Sequence, residues 1–243
     1  MSAWASLLAV ATTVTLPIPD RAQHKDAPPS GWCGETAIQE ALLHHGAWVP
    51  QRAIHDAGKS KHPDLYSQDV PVALAGLGVE FDTHVPKKKG GFAGFLRDAI
   101  DAGDPVFAGV KILPTSHPEW GLDHFVLVVG HGPKGFLVNT TWSEQTWVTE
   151  STTKGITLAG GFYALRIRGV ARPAGRTSAR ATVLAETATT VQLRLACVGK
   201  ETVTLERRDT PTGKIRESWP LSKESSTKTV DVAASKAAWF HCG

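Results

Sequence analysis

The hydrophobic period of this chain changes once, near Gly103, and that change limits the folds open to it. Before that glycine, apolar residues recur at helical spacing. In residues 34–46 (GETAIQEALLHHG), Ala37, Ile38, Ala41 and Leu42 form one stripe at i, i+1, i+4 and i+5. Glu35 in the first turn and the histidines in the last suit the helix dipole, and Gly46 stops the run. Shorter helices are expected at 51–57 and from Ser67 to Leu77, ahead of the breaker Gly78. Residues 91–102 make a further amphipathic helix. Beyond Gly103 the segments PVFAGVKIL (105–113), HFVLVVGH (124–131), GFLVNTTW (135–142), QTWVTES (145–151) and GGFYALRIRG (160–169) read as strands. Gly132-Pro133-Lys134-Gly135 is a hairpin turn between two of them. Helices first and strands second predict an α+β domain over residues 23–169, its N-terminal helices packed on an antiparallel β-sheet.

Residues 170–175 (VARPAG) read as a linker. After it come short alternating segments, ATVLAE, TTVQLRLACVG, ETVTLERRD, KTVDVAA and AAWFHCG, divided by turn signals. They predict a small all-β sandwich-type domain over 176–243. Cys197 and Cys242 lie on two of these segments. In an exported protein they would pair; in the cytosol both would be small buried hydrophobes. Residues 1–22 are set apart as a signal or N-terminal extension. The apolar stretch from Trp4 to Ile18 has the length of an export-signal core, but no Lys or Arg precedes it and no A-x-A site closes it. The competing reading is a buried N-terminal strand. The expected location is accordingly exported, periplasmic or extracellular, with the cytoplasm as the alternative.

Composition removes several function classes. The 26 basic and 23 acidic residues leave a net charge of +3, no argument for a nucleic-acid partner. No apolar run reaches the length of a spanning helix, so no membrane span is expected. Three cysteines without paired spacing do not make a zinc site, and neither metal nor cofactor is expected. His117, His124 and His131 recur every seven residues, but that period brings no common face in a strand. Lys87-Lys88-Lys89 before two glycines is a solvated loop.

The chemistry centres on Cys33. It sits between a Pro/Gly loop and a helix start, where unpaired N–H groups and the helix dipole favour a thiolate. His124 opens the strand HFVLVV after an irregular stretch, so it can project into a cleft and act as the base for Cys33. Asn139 lies on the partner strand, where an amide would orient the imidazole. A simple register around the hairpin puts Asn139 opposite Val128, so reaching His124 needs a bend or bulge. Thr140 and Ser143 are further candidates for that task, while Asp123 faces the other way. Trp32, Trp120 and Trp142 flank these blocks and either line a cleft or pack at its rim.

A Cys-Gly opening a helix that ends His-His-Gly, followed by His-Phe-Val-Leu-Val-Val-Gly and Gly-Phe-Leu-Val-Asn, resembles the papain-like cysteine peptidases. Within them it is most similar to the bacterial double-glycine leader-peptidase-like branch, over roughly residues 23–168. The resemblance implies Cys33 as nucleophile, His124 as general base and Asn139 as the residue orienting it. That branch usually has Asp at the third position, while papain-like enzymes have Asn. The family also implies a Gln holding the oxyanion, usually six residues before the cysteine. Here that position is Ala27, and the nearest upstream glutamine is Gln23. Full leader peptidases are fused to a transporter and a nucleotide-binding domain. Neither is in this chain, so leader export is not implied. The expected function is a thiol hydrolase cleaving a peptide or amide bond in a peptide or protein substrate. The alternatives are a catalytically degraded peptide-binding module and a related acyltransferase or amidase. The groove loops would be 59–68, 85–94 and 113–123, and the β-domain an accessory module.

Overall fold

The structure is a computed structural model and describes residues 12–24, 27–28, 31–84, 91–112, 116, 119, 121–149, 158, 163–197, 202–222 and 226–243. Among them the chain is mixed helix and antiparallel sheet. β1 (Val14–Thr15) precedes the helix α1 (Cys33–His44). Then come β2 (Ala47–Trp48), α2 (Gln51–Gly58), α3 (Val70–Gly76), β3 (Val79–Thr83) and α4 (Gly91–Asp101). The strands β4 (Val106–Val110), β5 (His124–Gly132), β6 (Gly135–Asn139), β7 (Gln145–Val148) and β8 (Ala164–Val170) follow. They make one sheet in the order β3-β8-β4-β5-β6-β7. The helical segments and the switch to strands fall where the period placed them. β2 and β3 were not expected, β2 being only two residues long, too short for a period to register; β1 falls within the stretch whose competing reading was an N-terminal strand.

The expected N-terminal boundary is corrected. β1 continues the line of β4 along β5, pairing with Gly130 and His131 where β4 stops at Val128. Leu16 donates its N–H to the Val129 carbonyl at 2.7 Å, and Leu16 and Ile18 join the core. The segment from Val14 to Gln23 is thus a strap across the sheet end, and a boundary after residue 22 would cut through it.

α1 is buried on every side, although it carries Glu35, Gln39, Glu40 and His44. Its apolar stripe is the expected one, with Ala37, Ile38, Ala41 and Leu42 all in the core. The polar residues are tolerated because each finds partners, as buried polar groups must. Gln39 donates to the Val49 carbonyl at 2.8 Å. His44 and His45 were expected to meet the last carbonyls of their own helix. Instead their Nε2 atoms bond Gly103 O at 3.0 Å and Ile167 O at 3.1 Å, tying the helix end to neighbouring chain.

The remaining strands are β9 (Thr177–Ser178), β10 (Arg180–Glu186), β11 (Thr190–Ala196), β12 (Thr202–Arg208), β13 (Ile215–Ser222), β14 (Thr227–Ala233) and β15 (Ala238–Cys242). β10-β11-β14 form one sheet and β13-β12-β15-β2 another, with β9 on β15. Leu193 and Leu195 from the first and Leu205 and Phe240 from the second share one core. β13 escaped notice because it is a mostly exposed edge strand containing Pro220, with no alternation to read. β2 belongs to this second sheet, pairing Ala47 with Trp239 and Trp48 with Ala238. Leu43 and Trp48 enter the second core and Trp239 the first. The two halves therefore share a strand and side chains across the region read as a linker.

Cys197 and Cys242 are disulfide-bonded, with Cα atoms 5.9 Å apart, and the bond joins the two sheets. Replacing both by alanine is expected to cost about 2–4 kcal/mol. Guanidinium unfolding midpoints with and without reductant check this; a midpoint shared by wild type and variant under oxidising conditions refutes it.

Candidate active site

Cys33 is the first residue of α1, and its thiol lies beside the start of β5. α1 packs on β5, and the ring of Phe125, one residue after His124, lies close to Gly34. The loop before it turns at Gly31, at a φ of +84°, where a Cβ would come within 2.1 Å of Gln23 Oε1. Only glycine fits both the backbone and the space.

The expected thiolate is not what this environment favours. Burial pushes the Cys33 thiol up to about 12, and the nearby Glu35 and Asp64 carboxyls add to it. The hydrogen bonds from Phe125 and Gly34 act the other way and do not compensate. A helix N-terminus lowers a thiol pKa where the charge keeps some solvent; here desolvation outweighs the dipole.

His124 is also buried, and burial lowers its pKa below the usual histidine range. The Thr140 carbonyl and the Asp123 and Asp20 carboxylates oppose that shift. Its Nε2 lies 2.9 Å from the Thr140 carbonyl oxygen. A carbonyl can only accept, so Nε2 carries the proton and Nδ1 is left as the basic nitrogen. Trp142, half exposed, stacks on the ring at 4.5 Å and 21°. Among the described residues no hydrogen bond joins Cys33 to His124. At rest the thiol and the imidazole are both neutral.

Asn139 does not orient His124, and that expectation is corrected. A bulge between Val128 and Gly130 shifts the hairpin register, so Asn139 pairs with Leu127. Leu127 is three residues from His124, and the alternation of a strand sends the two side chains to opposite faces. Asn139 Nδ2 instead donates to Glu40 Oε2 at 2.9 Å and Ile18 O at 3.2 Å, and its Oδ1 accepts from Gln145 at 2.7 Å. The histidine's partner is one residue on, and it is a main-chain carbonyl. Asp123 turns away as expected, accepting from Ile112 N–H at 2.7 Å and pairing with Lys111 at 3.1 Å.

Gln23 is brought to the cysteine loop despite its distance in sequence. Its Oε1 accepts the Trp32 N–H at 2.5 Å, its main-chain N–H donates to Thr141 O at 3.1 Å, and Ala22 bridges to Trp142. Because the carbonyl end is fixed on Trp32, the Nε2 end faces Thr141 Oγ1, at 3.5 Å.

On the other flank, Trp32 stacks on His55 at 5.7 Å and donates its indole N–H to Pro63 O at 2.9 Å. His55 Nδ1 is 2.9 Å from Glu35 Oε1, which also accepts the Leu65 N–H. Beside Trp32 opens a cavity of about 400 Å³ whose walls include His24, Gln51 and Arg52 from the helical half and Glu186 and Ser235 from the β-rich half. Trp120, Lys87, Lys88, Lys89 and much of the loops at 85–94 and 113–123 lie outside the described residues. Among the described residues no cluster of three metal-ligating side chains occurs, and no helix is long and apolar enough to cross a membrane.

No family model and no curated protein matches the chain.

Proposed function

We propose that this protein is a papain-like thiol hydrolase that cleaves a peptide or amide bond. The observation that carries the reading is Cys33 at the start of α1, a helix packed on the strand that opens with a His124 whose Nε2–H is committed to Thr140. In the proposed acylation, the Cys33 Sγ–H proton passes to His124 Nδ1 as sulfur bonds the substrate carbonyl carbon. The oxyanion is met by the Cys33 main-chain N–H at the start of α1 and by the second N–H of Gln23 Nε2, the first facing Thr141. Collapse breaks the C–N bond, and the amine leaves with the proton from His124. Water then attacks the thioester, gives a proton to Nδ1, and the proton returns to sulfur as the acid departs. No metal or cofactor enters these steps. The papain-like assignment rests on the order and spacing of these blocks, and the disulfide supports an exported location.

A second reading has its own observation. The raised thiol and the missing Cys33–His124 hydrogen bond fit a peptide-binding module that has lost turnover. Purified protein incubated with a peptide library and with amide and ester substrates, read by mass spectrometry, decides between them. Turnover by wild type that falls at least 10³-fold in both Cys33→Ala and His124→Ala supports the hydrolase. Peptide capture without cleavage, unchanged in Cys33→Ala, supports the binding module.

A further inference from the structure

The N-terminal strap, anchored by the buried Leu16 and Ile18, brings one charged side chain, Asp20, to the turn that carries the Thr140 carbonyl. That turn, residues 140–144, is held in an unfavourable shape. Thr141 and Ser143 have φ values of 69° and 63°, a region non-glycine residues seldom adopt, least of all a β-branched one. Such residues persist where surrounding contacts over-determine them. Asp20 supplies those contacts. Its Oδ1 accepts the Thr141 N–H at 2.9 Å, its Oδ2 accepts the Glu144 N–H at 2.5 Å, and Thr140 Oγ1 lies 3.1 Å from Oδ2.

The Thr140 C=O and the Thr141 N–H belong to one peptide group. The imidazole Nε2–H bonds its oxygen, and Asp20 takes its hydrogen. A continuous chain therefore runs from His124 through a single peptide unit to a carboxylate. We propose that Asp20 is the positioning residue of this site, acting on His124 through the Thr140–Thr141 peptide group rather than by direct contact. The proposal deepens the reading of His124 as the base and rests on it for its bearing on turnover. Hydrogen bonds in series polarise one another, so a carboxylate on the amide end strengthens the carbonyl as acceptor at the other. That holds the Nε2–H tautomer and stabilises the imidazolium when Nδ1 takes a proton.

The groups facing this chain are few. Asp123, adjacent to His124, is turned to Lys111 and Ile112. Behind Asp20, Glu40 of α1 hydrogen-bonds to it, burial holding that carboxyl well above the ordinary carboxylate range. Glu40 also accepts the Arg21 N–H at 2.8 Å and Asn139 Nδ2, and these two bonds oppose that rise. Arg21 turns its guanidinium to Gln39 and Glu186, away from Asp20.

The test is a nitrogen and amide-proton NMR titration of the full chain. In wild type the His124 ring is expected as the Nε2–H tautomer, and the Thr141 amide proton should shift along the His124 titration curve. In Asp20→Asn, which keeps the shape and removes the charge, His124 should titrate at lower pH. Turnover in that variant should drop on the order of 10- to 100-fold in kcat with KM unchanged. A Thr141 amide that ignores His124 ionisation, or a His124 titration unmoved in Asp20→Asn, overturns the proposal. The wild-type arm stands if the variant does not fold. Because the titration needs no substrate, a protein with an intact His124–Thr141 response but no hydrolysis would refute the hydrolase and leave the relay.

Discussion

Cys33 is expected to react with iodoacetamide on the order of 10²-fold more slowly than a free cysteine at pH 7. With the thiol pushed up to about 12, the thiolate fraction at neutral pH is about 10⁻⁵, against about 3% for a free thiol near 8.5. The more basic thiolate is also the better nucleophile, by about 0.4–0.5 logarithmic units per pKa unit, which returns roughly 30- to 60-fold. The residue is only 8% exposed, which slows the reagent further. The rate should climb about tenfold per pH unit from 6 to 10, since each unit multiplies the thiolate population by ten. Peptide mass spectrometry after timed quenching measures it, and with Cys197 and Cys242 paired, Cys33 is the one thiol to label. His124→Ala should change the rate little, because the resting thiol is not ionised by its neighbour. Fast labelling at pH 5–6 that disappears in His124→Ala would instead reveal a thiolate–imidazolium pair and overturn the neutral resting site.

A neutral pair places a particular demand on catalysis. The proton must leave sulfur during attack rather than before it, so the geometry of the base matters more than its resting charge. His124 Nδ1 has to be both deprotonated and aimed when substrate arrives. The Thr140 carbonyl secures the first by holding the proton on Nε2, and the Trp142 stack and the 140–144 turn secure the second.

The sequence carried the parts of this site that depend on residue type and period. Cys33 at a loop-to-helix junction and His124 at a strand start are visible as such, and the structure brings their surroundings together. Gln23 was reached through family resemblance, and it does pack on the cysteine loop. The parts that were not legible share a cause. The partner of His124 is a main-chain carbonyl, which no residue letter encodes. Asn139 missed its expected role because a one-residue bulge in β5 changes the pairing; Gly130, next to the bulged Val129, is the one letter that signals it. The thiol shift was misjudged because a helix start looks exposed in sequence, while Cys33 shares a core with Phe125 and Leu65, both far along the chain. The strap was hidden by its composition: an apolar run that ends in prolines is as compatible with an export signal as with core.

Removing residues 1–22 is therefore expected to damage the fold and not merely trim it. The strap contributes Leu16 and Ile18 to the core. It also supplies the partners of three buried side chains of the sheet and α1. Glu40 loses the Arg21 N–H and Asp20, Asn139 loses Ile18 O, and Gln39 loses Arg21. Each buried polar group left unsatisfied costs about 1–3 kcal/mol. Each large apolar side chain lost from a core removes about 1.5–3 kcal/mol of burial. The entropy of ordering the strap offsets part of this, and a net loss of roughly 3–6 kcal/mol remains against a usual total of about 5–15. Ile18→Ala alone should cost about 2–4 kcal/mol, since the residue is fully enclosed. Guanidinium unfolding followed by tryptophan fluorescence measures both, and near-UV circular dichroism reports whether the truncated chain keeps fixed packing. A truncated protein with the midpoint of the full chain would make residues 1–22 dispensable. The strap would then be an appendage laid on a finished fold, and Asp20 could not be holding the turn behind His124.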